Sequence, residues 1–162
     1  MKALCLAVLA VSFSLPAVAL AGWKYDQKAD AMRGANTSYA SVISDNMQSF
    51  SFPYEGGSRI QLIFRLNGPN DFDGYLQVDK GQFSCPPYGY VSVKVDSGNV
   101  EELDCSYPDD GDTSVIFLKH VGQLMAKLQN ARTLIIEAEF YREGRRQFNF
   151  NVSGFQWTVS FN

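Results

Sequence analysis

The sequence predicts a mainly β fold, an antiparallel β-sandwich or flattened barrel of about ten short strands with one helix. Three observations carry this reading. Short runs in which apolar and polar residues alternate recur along the chain, and period-two alternation marks a strand with one buried face. Clusters of Gly, Pro, Asn and Asp punctuate those runs, as at Gly68-Pro69-Asn70-Asp71 and Ser97-Gly98-Asn99. Only one stretch has a helical period: Val121, Leu124, Met125 and Leu128 fall at i, i+3, i+4 and i+7, with Gln123, Lys127 and Gln129 on the other face.

Residues 1–21 read as an export signal. Met1-Lys2 is a short positive start, Ala3 to Leu15 is an apolar run, Pro16 breaks it, and Ala19-Leu20-Ala21 has the small-x-small pattern of a processing site. The apolar part is too short to span a bilayer, so no membrane span is expected after cleavage. Residues 22–162 then form a single β-sandwich domain in a periplasmic or secreted chain of bacterial type. The 162 residues carry 14 Lys and Arg against 17 Asp and Glu, a net charge of −3; removing Lys2 leaves 13 against 17, or −4. A mildly acidic surface does not suit nucleic acid, whose binders are basic.

Within 22–162, Trp23-Lys24-Tyr25 opens a first strand near 23–28, and 30–36 is a loop. Thr37 to Ser44, rich in small and β-branched residues, is a second strand. Phe50, Phe52 and Tyr54 alternate with Ser49, Ser51 and Pro53, which predicts a third strand at an edge, since proline donates no ladder bond. Ser58 to Asn67 is the clearest strand, with Ile60, Leu62, Phe64 and Leu66 inward. Tyr75 to Val78 returns, Gly81 to Cys85 continues it or starts another, and Pro86-Pro87-Tyr88-Gly89 stops it. Val91 to Val95, Val100 to Tyr107 and Ser114 to Leu118 precede the helix. Last comes a hairpin at Thr133–Gly154 around the polar connection 142–146. Pairing Tyr141 with Gln147 there sets Phe140 opposite Phe148, Ala138 opposite Phe150 and Ile136 opposite Val152.

Cys85 and Cys105 remain after signal removal, and an oxidising compartment favours a disulfide between them. If the two hairpins between them lie flat, both cysteines flank Val91 about 9.6 Å apart. A bond needs Cα atoms within about 7 Å. Either Phe83–Cys85 leaves the sheet and folds over Val91, or these are two buried thiols.

No catalytic set converges in the sequence. His120 is the only histidine, lies at the helix start, and has neither a Gly-x-Ser-x-Gly elbow nor a zinc-ligand cluster to work with. Glu137 and Glu139 share the outward face of one strand about 7 Å apart, a spacing that glycoside hydrolases use, but facing Asn151 and Asn149 they read as a wet sheet face. Asp71-Phe72-Asp73-Gly74 and Asp109-Asp110-Gly111-Asp112 are acidic loops without the twelve-residue calcium pattern. No cofactor or metal site is expected. Two groups stand out as contact surfaces: Tyr88, Tyr90 and Tyr107 around the cysteine loop, and Arg142, Arg145 and Arg146 at the hairpin tip.

With those residues in view, the chain resembles small exported proteins of bacteria and their prophages, of unknown function, and is distantly similar to TagO-like accessory proteins of type VI secretion. The resemblance rests on Trp23 at the mature start, Asp30-x-Met32, the serine-rich Tyr39 to Phe52 region and Phe148-x-Phe150-x-Val152-x-Gly154-x-x-Trp157. It implies an exported β-rich domain and no catalytic residue. The expected function is an exported binding or interaction module, such as an envelope or secretion accessory protein, whose partner is another envelope or secreted protein. The alternatives are a phage-derived envelope protein that excludes infection or inhibits a cell-wall enzyme, and a small hydrolase using His120 or the Glu137–Glu139 pair.

Overall fold

A computed structural model describes residues 22–30, 32, 35–68 and 71–157. The expected export signal lies outside the described residues, as do residues 31, 33 and 34 of the expected 30–36 loop. Among the described residues, nine strands and one helix follow in order: β1 (Lys24–Asp30), β2 (Ala35–Ile43), β3 (Ile60–Asn67), β4 (Asp71–Val78), β5 (Tyr90–Val95), β6 (Val100–Ser106), β7 (Val115–Leu118), α1 (Val121–Leu128), β8 (Thr133–Phe140) and β9 (Gly144–Asn151). The fold is mainly β, as expected, and all nine strands join one open antiparallel sheet in the order β1-β2-β3-β4-β7-β6-β5-β8-β9.

Two blocks of long pairings organise that sheet, β1–β2–β3–β4 and β8–β9, and they meet through a weak seam. At the seam β6 and β7 share two residue pairs, Cys105 with Leu118 and Ser106 with Phe117. The halves on either side contribute their apolar faces to one core. Ala40, Val42, Leu62, Phe64, Leu76 and Val78 come from the first half, and Val91, Val93, Ile136, Ala138, Phe148 and Phe150 from the second. The shape is sandwich-like for that reason: each half is amphipathic, and only the other half can cover it.

The helix buries the four residues its period picks out, Val121, Leu124, Met125 and Leu128. It packs close to β4 at Gly74, where a Cβ would lie 2.6 Å from Val121 Cγ2 and 3.2 Å from Phe64 Cδ1. The glycine is there because the helix needs the space. Lys127 near the helix end pairs with Glu101 of β6, which ties the helix to the second half as well.

Several expectations need correction. The terminal hairpin is tighter than the 142–146 connection implied. Phe140 pairs with Gly144, Ala138 with Arg146, Ile136 with Phe148 and Leu134 with Phe150. Arg142 at φ 62° and Gly144 at φ 69° take left-handed conformations, and Glu143 N donates to Phe140 O at 3.1 Å. That turn closes the strands early. Each partner moves by four residues, an even number, so every apolar side chain still faces the core. The 50–54 strand does not form. Gln48 bridges Ser58 alone, Phe50 enters the core against Phe140 at 4.9 Å between ring centroids, and Phe52 is exposed. Gly81 to Cys85 is likewise no strand; Phe83 makes one bridge, to Phe140. Asp71 to Gly74 is the first half of β4 and not an acidic loop. Glu137 and Glu139 face Gln147 and Arg145 in place of Asn151 and Asn149.

Cys85 and Cys105 are bonded, with Cα atoms 6.1 Å apart. The flat arrangement fails because Phe83–Cys85 leaves β5 and crosses towards β8, where Ser84 N donates to Glu139 O at 2.8 Å. Cys105 instead lies beside Gly89, donating its N–H to Gly89 O at 3.0 Å.

Candidate interaction surface

The chain between Cys85 and Tyr90 is braced from three sides. The disulfide fixes its start. The Tyr107 hydroxyl accepts from Cys85 N at 2.9 Å and donates to Phe83 O at 2.8 Å. Gly89 N donates to Pro86 O at 2.7 Å, a turn so tight that a Cβ at Gly89 would meet Pro86 O at 2.8 Å. The result projects Tyr88, at φ 66°, into solvent with 99% of its surface exposed. Tyr107 therefore serves as a strut, with its hydroxyl spent on backbone, while Tyr88 stands clear.

Beside this turn lies the outer face of β5, β8 and β9. Their registers set Ser92, Glu137 and Gln147 in one row, with Glu139 opposite Arg145 in the next. Arg145 holds the face together. Its Nη1 donates to Glu137 Oε1 at 3.1 Å and to Ser92 Oγ at 3.2 Å, and its guanidinium lies 4.4 Å from the ring centroid of Tyr90. Gln147 Nε2 donates to Glu137 Oε2 at 2.8 Å. The hydrogen bond from Gln147 and then that from Arg145 hold the Glu137 carboxyl below the usual carboxylate range. That environment suits a fixed anion and not a neutral proton donor.

The three arginines do not make one basic tip. Arg145 is paired with Glu137 on the outer face. Arg146 is paired with Glu143, whose other oxygen accepts from Ser51 N at 2.7 Å. Arg142 lies with its guanidinium 5.1 Å from the Tyr141 ring centroid and makes no ion pair among the described residues. The structure thus joins the tyrosine and arginine groups through one contact, Arg145 on Tyr90, and leaves Tyr107 and Arg146 in supporting positions.

His120 is exposed ahead of α1, with φ 55° and no side-chain cap. Asp112 Oδ1 accepts from Ser114 N at 2.8 Å and Ser114 Oγ at 2.7 Å, and Asp110 Oδ1 accepts from Asp112 N at 3.0 Å, so those carboxylates are engaged in their own turn. Among the described residues, no three His, Cys, Asp or Glu side chains come together as a metal set.

The opposite outer face holds a cluster that the sequence reading missed. Arg65 of β3 pairs with Asp73 and sits over two rings, 5.6 Å from Tyr75 and 5.8 Å from Phe117. Burial pushes the Tyr75 hydroxyl up from its ordinary value. Alternation placed Arg65 outward, but Phe117 arrives through the β4–β7 pairing, which joins strands distant in sequence and leaves no local signal. No protein-family model, curated protein or solved structure matches the chain.

Proposed function

We propose that this protein is an exported binding module that meets another envelope or secreted protein through the face carrying Tyr88, Tyr90, Arg142 and Arg145. One observation carries the reading: a fully exposed tyrosine on a turn braced by a disulfide, a strut and a glycine. An exposed aromatic costs free energy in water, and a braced one loses little further freedom on binding. Tyr and Arg are also the residue types enriched at interface centres. The disulfide, with no helix among the described residues long and apolar enough to cross a membrane, is compatible with the exported setting that the leader predicts.

The test is a photoreactive side chain at position 88, crosslinked in the intact envelope. A discrete adduct that disappears in the Arg142→Ala/Arg145→Ala background is expected. A probe at Gln77, on the other outer face, is the control. Equal labelling from both positions, or none from position 88, overturns the proposal.

A further inference from the structure

An open sheet has two edges, and among the described residues only one is covered. The chain just after β2 closes the β9 edge: Asp45 N donates to Asn149 O at 2.7 Å, Asn149 N donates to Asn46 Oδ1 at 2.7 Å, and Asn46 Nδ2 and Gln48 Nε2 donate to Gln147 O at 3.0 and 2.7 Å. At the other edge, β1 has every residue from Lys24 to Ala29 exposed. No backbone hydrogen bond joins β1 to any described segment other than β2.

Which groups of β1 are left over follows from β2. Asn36 O accepts from Gly68 N at 3.3 Å and Ser44 N donates to Ile60 O at 2.9 Å, so the even-numbered residues of β2 turn their backbone towards β3. The odd ones, Thr37, Tyr39 and Ser41, turn theirs to their partners Lys28, Asp26 and Lys24. The N–H and C=O groups of Tyr25, Gln27 and Ala29 therefore point off the edge. Gln27 N donates to the neighbouring Asp26 Oδ1 at 2.9 Å, a local bond that pairing across the edge would replace. An open groove of about 410 Å³ borders this edge, lined in part by Tyr25, Asp26, Gln27, Tyr39 and Gln156.

We propose that β1 pairs antiparallel with β1 of a second copy, about a two-fold axis at Gln27, so that one sheet runs through both subunits. The sequence of the strand, KYDQKAD, selects this occupant. Centred on Gln27, the register sets Asp26 opposite Lys28 of the partner subunit and Lys28 opposite Asp26 of the partner subunit. Lys24 falls opposite position 30, an aspartate in the sequence. The charges occupy the pairs that are not hydrogen-bonded across the edge, where side chains approach closest. Sliding the register by two residues in either direction sets Asp26 on Asp26 or Lys28 on Lys28, and a parallel pairing in register sets every charge on its like. Edge strands are commonly protected by charge; here the charges exclude the registers two residues away, and of those that keep opposite charges facing, only the one centred on Gln27 pairs the whole length of β1, the self-complementarity that a two-fold interface requires.

One added strand buries less than the roughly 1,200 Å² of standard interfaces, so association is reversible and depends on concentration. The experiment is sedimentation velocity on protein exported with its own leader, from about 1 to about 300 μM, a range that brackets weak association. A monomer–dimer equilibrium that weakens with added salt is expected. Lys28→Asp, which opposes two carboxylates at both symmetric rungs, should raise the dissociation constant at least about tenfold. Asp26→Lys combined with Lys28→Asp restores opposite charges and should bring it back to within about threefold of wild type. Gln27→Pro removes the central outward N–H while leaving the β1–β2 bonds intact, and should abolish the dimer. A monomer throughout, a dimer indifferent to Lys28→Asp, or no recovery in the charge swap overturns the proposal. So does a chain ended at Trp157 that dimerises where the full chain does not, since residues 158–162 would then be covering the edge in cis.

Discussion

Breaking the Cys85–Cys105 bond should cost about 3 kcal/mol, felt almost wholly in the unfolded state. The bond closes a loop of 20 residues. The loop-closure entropy for that length is about 11 cal/mol/K, or about 3.3 kcal/mol at 25 °C. The folded segment keeps other anchors without it: Tyr107 still grips Phe83 and Cys85, and Ser84 still bonds to β8. Urea unfolding of the oxidised and the reduced wild type measures this directly, since reduction keeps the volume of both buried sulfurs. With an m value of about 2 kcal/mol/M, the midpoint should fall by about 1.6 M. Cys85→Ala/Cys105→Ala should fall at least as far and be indifferent to reductant. Alanine is chosen because both sites are buried and serine would add a hydroxyl to desolvate. A reduced chain that unfolds within about 0.3 M of the oxidised one would refute the reasoning. It would mean that the unfolded chain already holds the two cysteines together.

Three further outcomes are expected. Gly74→Ala should destabilise by about 1–3 kcal/mol, because its Cβ meets Val121, a β-branched helix residue with little rotamer freedom; adding Val121→Ala should recover part of the loss in a double-mutant cycle of urea midpoints. Asn46→Ala should loosen the covered edge, read as about tenfold faster hydrogen exchange at the Asn149 amide, which donates to the Asn46 side chain. Glu137 has a folded-state pKa below its unfolded value, so its bonds to Gln147 and Arg145 contribute stability above about pH 4.3 that is lost as pH falls through the folded value. Wild type should therefore exceed Glu137→Gln in stability at pH 7, and the gap should narrow on acidification below about pH 4; a constant gap would show that the carboxylate charge plays no part.

Much of the fold was legible because it is encoded locally. Val121, Leu124, Met125 and Leu128 announced the buried stripe of α1 by spacing alone. The inward faces of β3, β8 and β9 followed from alternation, and even the misread hairpin kept its faces, since an error of four residues preserves parity. The same logic misled at Phe50, Phe52 and Tyr54, where alternation reflects one core ring beside an exposed one. Of the candidate surface, Tyr88, Tyr90 and the arginines were visible as residue types around two turns. Their sorting was not: that Tyr107 is a strut, Arg146 a partner of Glu143 and Arg145 a lid on Tyr90 depends on β5 lying beside β8.

By itself the sequence determined the class of fold, the single helix and the inward faces, all properties of neighbouring residues. The tertiary structure alone decided that the cysteines meet, which strands adjoin out of sequence order, and which strands form the ends of the sheet. Those are long-range outcomes, set by how two amphipathic half-sheets cover each other and by where a few backbone groups find partners far along the chain.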